Sequence, residues 1–137
     1  MGLTDTVRFL GTVPHDEIPA ILAEHDVYVQ PSIVDRSTRQ TESFGVAVLE
    51  AIAVGLPVVV SAVGGLPYVV GEPNEFAITV PPEDVEALFE AMVAVFGKVA
   101  DNFAYAEGRV SKYSSLGQIQ SCKDIYHDLL IKPVAKT

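Results

Sequence analysis

The feature that most constrains the fold is a run without any charged residue, which extends from Ala51 to Gly71. By its length alone, such a run is compatible with a membrane-spanning helix. Glycines and prolines interrupt it, however, and its centre is Val58–Val60, a β-branched stretch that favours a strand. Buried parallel strands are typically continuous apolar runs, because helices cover both faces of their sheet. The run therefore predicts a helix end, a turn, a buried strand and a second turn instead of a membrane span.

Strand and helix patterns alternate on both sides of this run. The predicted strands are 7–10, 26–30, 58–61 and 77–80, and the predicted helices are 15–25, 43–54, a short one within 64–70, 82–96, 102–113 and a last one capped by Ser114 or Ser115. This alternation predicts an α/β fold, a parallel Rossmann-like sheet flanked by helices. A chain of 137 residues is expected to form one domain. Ligands of such sheets bind beyond the carboxyl ends of the strands.

Two of the predicted helices carry apolar stripes that we expect to face the core. The first stripe consists of Val85, Leu88, Phe89, Met92, Val93 and Phe96, and the second of Leu116, Ile119, Cys122, Ile125 and Leu129. Cys122 is the single cysteine, so an internal disulfide is excluded. Its place in the second stripe predicts packing in the core and not reactivity.

The charge balance of the chain bears on which classes of partner it is expected to bind. Nine lysine and arginine residues stand against eighteen aspartate and glutamate residues, a formal net charge of −9. Such a charge argues against nucleic acid and against anionic membrane surfaces as partners. No secretory signal is visible, which predicts a cytoplasmic location. No cluster of histidine, cysteine and acidic residues has the spacing of metal ligands, so neither a metal nor a cofactor is expected.

The segment 43–54 is apolar on every face, which predicts a buried helix, yet it contains Glu50. A buried carboxylate is costly unless it has a partner, solvent or a proton. Two interpretations of Glu50 remain open at this point. It is satisfied by a nearby cation or backbone donor, or it lies in a cleft where it accepts hydrogen bonds from the hydroxyl groups of a ligand.

Glu42 lies at the start of the same predicted helix. Helix starts attract phosphate through their N–H groups and partial positive charge, and Gly45 would let a ligand approach the backbone closely. Taken alone, Glu42 would be interpreted as a favourable acidic residue of a first helical turn. Eight residues of helix span roughly 12 Å, which matches a nucleotide sugar from its ribose to its hexose.

These residues, read as ESFGVAVLE from Glu42 to Glu50 and followed by AIAVGLPVVVSAVGG, resemble the motif of glycosyltransferase family 4. Members of that family are retaining GT-B enzymes that use nucleotide-diphosphate sugars. The segments Val7–Val13, Asp26–Ser32 and Val80–Leu88 resemble further conserved strands and turns of the family, in the family's order. The resemblance covers residues 6 to 130.

The resemblance implies roles for particular residues. Glu42 is similar to the acid beside the transferred sugar and its phosphate and is the catalytic candidate, while Glu50 is similar to the acid that binds the ribose. The remaining candidates for binding the donor are Val13 and His15 in the base-binding turn, Ser43, Phe44 and Gly45 beside the sugar, and Val46 beside the nucleotide. Arg36, Arg39 and the pair Gly64–Gly65 are open between a donor contact and an ordinary loop or turn.

The resemblance also implies which parts of a whole enzyme this sequence contains. Residues 1–137 resemble part of a C-terminal nucleotide-sugar-binding domain, without the N-terminal domain that binds the acceptor and without the Arg and Lys that usually neutralise the diphosphate. Tyr68 and Phe76-Ala77 depart from the family pattern around the donor pocket. The implied donor is UDP-, GDP- or ADP-linked, and the implied acceptor is a saccharide or a lipid carrier. The whole protein would then act in the cytoplasm or at the inner membrane face.

Two further expectations concern the chain by itself. We expect it to be inactive in transfer, and the alternative is a non-catalytic nucleotide-sugar-binding module that acts with a separate partner chain. A third interpretation is a non-functional fragment that keeps its fold through self-association. An incomplete sheet leaves an unpaired strand, with Val7–Leu10 as the candidate, and such edges allow pairing between copies.

Overall fold

A parallel sheet of three strands forms the centre of this computed structural model, which describes residues 3, 5–98 and 103–131. The strands are β1 (Tyr28–Gln30), β2 (Val58–Ser61) and β3 (Ala77–Val80), and β2 lies between the other two. Val59 of β2 is in register with Val29 of β1 and with Ile78 of β3. The parallel sheet flanked by helices that the sequence predicts is therefore confirmed.

The helices follow the predicted order with shorter limits. A 3-10 turn (His15–Glu17) leads into α1 (Ile18–Ala23), and the later helices are α2 (Val46–Ala53), α3 (Leu66–Val70), α4 (Val85–Val95), α5 (Phe103–Tyr113) and α6 (Ser115–Ile131). The uncharged run thus divides into the end of α2, β2 and α3. Among the residues that the structure describes, no helix is long and apolar enough to cross a membrane.

Helix α2 begins three residues later than predicted because of the backbone conformation of Gly45, the residue before it. Gly45 has a φ of 93°, a left-handed conformation that an α-helix does not accommodate, so the helix starts at Val46. Its buried side chains are Val48, Ala51 and Ile52, whereas Val46 is 61% exposed. The expectation that this helix is buried on every face is therefore wrong. Its exposed side borders the site described below.

The predicted strand Val7–Leu10 is also wrong. This segment belongs to no strand, and the side chain of Phe9 is 92% exposed. Strand propensity is local, whereas a strand also needs a neighbour to bond its N–H and C=O groups. Within the described part of the chain, β1 pairs with β2 alone. The edges of the sheet are therefore β1 and β3, and the candidate edge for self-association at Val7–Leu10 does not exist.

Helices cover both faces of the sheet. Val58 and Val60 of β2 pack on α2 and α3, together with Ala106 of α5, and Val59 packs on the opposite face against Ala91 and Val95 of α4. This burial on both faces explains why β2 is a continuous apolar run. It places α2 and α5 on the same side of the molecule, where the polar side chains of the site also lie.

Among the described residues of the two predicted apolar stripes, only Leu88 packs against the core. On α4, the buried residues are Ala91 and Val95 and Leu88 is half-buried beside them, whereas Val85, Phe89, Met92, Val93 and Phe96 are exposed. An apolar sequence fits the helical period on more than one face, and here the face with smaller side chains meets the sheet. On α6, Leu116, Ile119, Cys122 and Ile125 are exposed, and the side chain of Leu129 lies outside the described residues. The core position expected for Cys122 is therefore wrong.

Candidate donor-binding site

The site begins with two polar side chains on strand β1. Tyr28 and Gln30 are two residues apart and therefore point to the same face, which is the α2 side of the sheet. The hydroxyl of Tyr28 donates a hydrogen bond to Oε1 of Gln30 at 3.0 Å, and Nε2 of Gln30 donates to Oε2 of Glu42 at 3.1 Å. A continuous polar chain thus connects β1 to the segment that precedes α2.

Glu42 shapes this preceding segment, the donor loop (Glu42–Gly45). Its Oε1 accepts hydrogen bonds from the backbone N–H of Gly45 at 3.0 Å and of Phe44 at 3.3 Å. Glu42 thus folds the segment back on itself directly before α2, whose N-cap residue, Gly45, has no side-chain cap. A carboxylate offers about four acceptor positions. With three of them used, Glu42 retains capacity for about one further donor.

Glu50 lies on α2 and is half-buried, with 29% of its side chain exposed. Its Oε1 is 3.7 Å from Nδ1 of His15, a side chain that is 84% exposed. This distance is longer than a direct hydrogen bond, and an exposed ion pair of this kind contributes little. Of the two interpretations left open by the sequence, a partner near Glu50 is therefore present, but it holds the carboxylate only weakly. The carboxylate stays accessible for other donors.

Tyr28 links the two carboxylates. Burial raises the pKa of its hydroxyl above the ordinary value of 10.0, and the negative charges of Glu42 and Glu50 raise it further. Glu42 is bonded through Gln30 to Tyr28, and Glu50 lies on α2, which packs on the same face of the sheet as Tyr28. Both acids therefore border the same side of β1, although they are eight residues apart in sequence. Sequence reasoning missed Tyr28 and Gln30. The available signal was the alternation of polar and apolar residues in Tyr28–Gln30, at a strand end that a ligand can approach.

Gly64 and Gly65 pack directly against the backbone of the donor loop. A Cβ on Gly64 would stand 1.7 Å from the carbonyl oxygen of Glu42, and one on Gly65 would stand 2.3 Å from that of Ser43. In addition, the N–H of Gly65 donates to the Glu42 carbonyl at 3.1 Å. The two glycines therefore make room for the backbone of the donor loop. This close packing is a structural reason for glycine at both positions.

The other predicted donor-binding residues surround these two acids in part. Ser43 is exposed, Phe44 is half-buried, and Val46 is exposed at the first position of α2. Val13 is half-buried and lies two residues before His15, the residue that approaches Glu50. The predicted residues therefore fall into two groups, one at the donor loop and one at Glu50.

An open cleft of about 400 Å³ lies beside the donor loop, lined by Ser32, Ile33, Gln40, Thr41, Glu42 and Ser43. The loop that forms its other wall is closed by a hydrogen bond from the N–H of Asp35 to the carbonyl of Gln40 at 2.9 Å. Arg36 in this loop pairs with Glu83 at 2.8 Å, and both side chains are largely exposed. Arg36 is thus engaged away from Glu42.

The acidic residues of the site do not form a metal centre. Among residues 3, 5–98 and 103–131, no group of three or more histidine, cysteine, aspartate and glutamate side chains could hold a metal ion. The chemistry available at the site consists of carboxylate acceptors, backbone donors and the start of a helix.

Comparison with known proteins identifies a family and several relatives that this chain resembles. The family model for "Glycosyl transferases group 1" matches residues 1–98. The chain is 35% identical over 102 residues to the MMP alpha-(1->4)-mannosyltransferase of Mycolicibacterium hassiacum, an alignment that covers 74% of this chain and 22% of that protein. It is 28% identical over 131 residues to the phosphatidylinositol N-acetylglucosaminyltransferase GPI3 subunit of Saccharomyces cerevisiae, covering 93% of this chain and 27% of the relative.

Among solved structures, the sucrose-phosphate synthase of Thermosynechococcus elongatus is similar to this fold. It superposes with a TM-score of 0.68 at 28% identity, covering 93% of this chain and 31% of that chain. The chain therefore spans between 22% and 31% of the length of these proteins.

Proposed function

The chain belongs to the glycosyl transferases group 1 family, and on that premise we propose that it is the part of a retaining family 4 glycosyltransferase that binds a nucleotide-diphosphate sugar. The observation that carries the proposal is the position of the two acids on one side of β1. Glu42, in the donor loop, is bonded through Gln30 to Tyr28, and Glu50 lies on the adjoining helix α2. Two acids placed in this way can each receive a different hydroxyl-bearing part of an extended ligand.

In this proposal Glu50 binds the ribose of the nucleotide. Its accessible carboxylate has two oxygens, which suit the two neighbouring hydroxyl groups of a ribose. His15 lies 3.7 Å from Glu50, so the turn that contains Val13 and His15 lies where the base would follow the ribose. The base itself, uracil, guanine or adenine, is then selected near Val13.

The diphosphate and the sugar would lie at the other end of α2. The start of a helix presents backbone N–H groups and a partial positive charge to phosphate. Glu42 would use its remaining acceptor position for a hydroxyl of the sugar, while Gln30 and the N–H groups of Phe44 and Gly45 hold the carboxylate in place.

The chemical contribution of this site would be electrostatic. As the bond between the sugar and the diphosphate breaks, negative charge grows on the leaving phosphate, and the fixed dipole of α2 stabilises it without reorganisation. Glu42 would orient the sugar for attack by the acceptor hydroxyl. A diphosphate needs more positive charge than one helix start supplies. We expect that charge and the acceptor site, for a saccharide or a lipid carrier in the cytoplasm, to come from the rest of a longer protein.

A second candidate is a non-catalytic nucleotide-sugar-binding module that acts with a separate partner chain. It is favoured by one observation, that the yeast relative is named as a subunit. The two candidates share the donor site and differ in what completes it. Turnover by a single polypeptide that contains this sequence would support the enzyme, whereas turnover only after addition of a second chain would support the module.

Calorimetric titration of the chain with UDP, GDP and ADP tests the donor site directly. We expect one nucleotide to bind, and Glu50→Ala to weaken it about tenfold or more, as for the loss of a charge-assisted hydrogen bond. Glu90→Ala is the matched control, because Glu90 is exposed on α4, on the opposite face of the sheet. Absence of binding by the unaltered chain, or equal weakening in both variants, would contradict the proposal.

A further inference from the structure

One aromatic contact connects the donor loop to a distant part of the chain. The rings of Phe44 and Tyr113 meet edge to face, with centroids 5.1 Å apart and an angle of 80° between their planes. Phe44 belongs to the donor loop, and Tyr113 is the last residue of α5. Both side chains are half-buried, and Phe44 also packs against the edge of the core.

Tyr113 is itself fixed by a network at the end of α3. Its hydroxyl donates to the carbonyl of Tyr68, which also accepts from the guanidinium of Arg109. Arg109 bonds the carbonyl of Val69 at 2.8 Å as well, and its guanidinium lies 5.3 Å from the centre of the Tyr113 ring. The last carbonyls of α3 thus receive a cation and a hydroxyl, as helix C-termini favour.

Tyr105 extends this network by one helical turn. Its hydroxyl donates to the carbonyl of Val70 at 2.9 Å. Positions 105, 109 and 113 are four residues apart and therefore lie on the same face of α5. The side chains on this face donate hydrogen bonds to the last carbonyls of α3, the helix that directly follows Gly64 and Gly65. The donor loop therefore contacts two other parts of the chain, the backbone of Gly64 and Gly65 and the ring of Tyr113.

We propose that Tyr113 is a positioning residue that sets the conformation of the donor loop through Phe44 and so determines how tightly the sugar part of the donor is bound. The inference rests on the proposed function for the identity of the ligand. Tyr113 would act on the donor through Phe44 and not by direct contact. Its influence is confined to the end of the site at residues 42–45, where the diphosphate and the sugar would lie, because the ribose would lie at Glu50.

Because Tyr113 is expected to act on one end of the site only, its loss should change the affinities for a nucleotide sugar and for a nucleotide by different factors. A merely structural role would change both affinities alike. UDP-N-acetylglucosamine, GDP-mannose and ADP-glucose are compared by calorimetry with UMP, GMP and AMP, which lack the second phosphate and the sugar. For the pair that binds, Tyr113→Leu should weaken the nucleotide sugar about three- to tenfold, the effect of losing an aromatic pair, and weaken the nucleotide alone less than about twofold. Tyr113→Phe keeps the ring against Phe44 but loses the bond to the Tyr68 carbonyl, so it should weaken the nucleotide sugar less than Tyr113→Leu does and leave the nucleotide alone unchanged.

Two further variants complete the test. Phe44→Leu removes the same contact from the other side and should reproduce the split, and the double variant with Tyr113→Leu should bind no more weakly than Phe44→Leu alone. Phe96→Leu is the control, because Phe96 is an exposed aromatic residue at the end of α4.

Equal weakening of the nucleotide and the nucleotide sugar, or additive effects in the double variant, would overturn the inference and leave the donor site intact. If Tyr113→Leu does not fold, Phe44→Leu alone decides between these outcomes. Failure of the unaltered chain to bind either class of ligand would instead overturn the proposed function and this role with it.

Discussion

Gly64 lies so close beneath Glu42 that a Cβ on the glycine would stand 1.7 Å from the Glu42 carbonyl oxygen. Gly64 also has a φ of 54°, in the left-handed region that favours glycine. Any side chain at this position must therefore displace the donor loop or α3. The contact ties the first acid of the site to the turn that follows β2.

Gly64→Ala should consequently impair the site through the backbone. We expect a loss of donor binding of about tenfold or more and a lowered midpoint of thermal unfolding. Gly97→Ala is the matched control, because Gly97 also has a positive φ, of 82°, but a Cβ there would meet no atom within 4 Å. Calorimetry and a thermal melt of both variants check this. Equal effects of the two substitutions would show that backbone strain alone is responsible and that the close approach to Glu42 is irrelevant.

The parts of the fold that the sequence predicts well are those in which a local pattern has one solution. The limits of β2 and β3 match the predicted 58–61 and 77–80, because each strand is a short apolar run between turn residues. Ser114 was one of two predicted caps, and its hydroxyl accepts from the N–H of Gly117 at 3.1 Å. Local chemistry alone specifies these features.

The parts that the sequence does not predict depend on neighbours in space. The apolar residues of α4 fit more than one helical face, and only the shape of the sheet selects Ala91 and Val95. Val7–Leu10 has the composition of a strand, but composition supplies no pairing partner. In the site, Glu42 and Glu50 were found from their spacing on one helix, whereas Tyr28 and Gln30 join them only through the placement of β1 beside α2.

Glu42 should matter for stability as well as for binding. Glu42→Ala removes the acceptor of the Phe44 and Gly45 N–H groups and the partner of the Gln30 amide. Because the site is only partly buried, water can replace some of these bonds, and we expect a loss of about 1–3 kcal/mol in the free energy of unfolding. Urea denaturation measures it. Glu75→Ala, at an exposed position, is the control and should change the value by less than about 0.5 kcal/mol.

Tyr105 should make the stability of the chain depend on alkaline pH. Burial raises the pKa of its hydroxyl from 10.0 to about 12 in the folded chain. The folded state therefore favours the neutral form, so this contribution is fully present below pH 10 and is lost as the pH rises through 12. Urea midpoints measured at several pH values between 8 and 11.5 should fall less steeply for Tyr105→Phe than for the unaltered chain. Tyr68→Phe, at an exposed ring, should leave the slope unchanged.

Asp35 gives a prediction at the opposite end of the pH range. The Ser37 hydroxyl donates to its carboxylate at 2.6 Å, and the backbone N–H groups of Ser37 and Thr38 donate at 2.8 Å each. These bonds, the Ser37 hydroxyl first, lower the pKa of Asp35 from 3.8 to about 2. The turn that Asp35 forms with Ser37 and Thr38, beside the cleft, should therefore persist as the pH falls to 3 and open only as the pH falls through 2.

Ser37→Ala removes the largest of these contributions and keeps both backbone donors. We expect the pKa of Asp35 to rise towards 3.8 without returning to it fully, because the N–H groups still stabilise the charged carboxylate. Carboxyl ¹³C shifts recorded by NMR between pH 1.5 and 6 measure this pKa. Ser32→Ala, in the same cleft but on its other wall, is the control. An Asp35 pKa that is the same in the unaltered chain and in Ser37→Ala would mean that the hydroxyl does not hold this turn in solution.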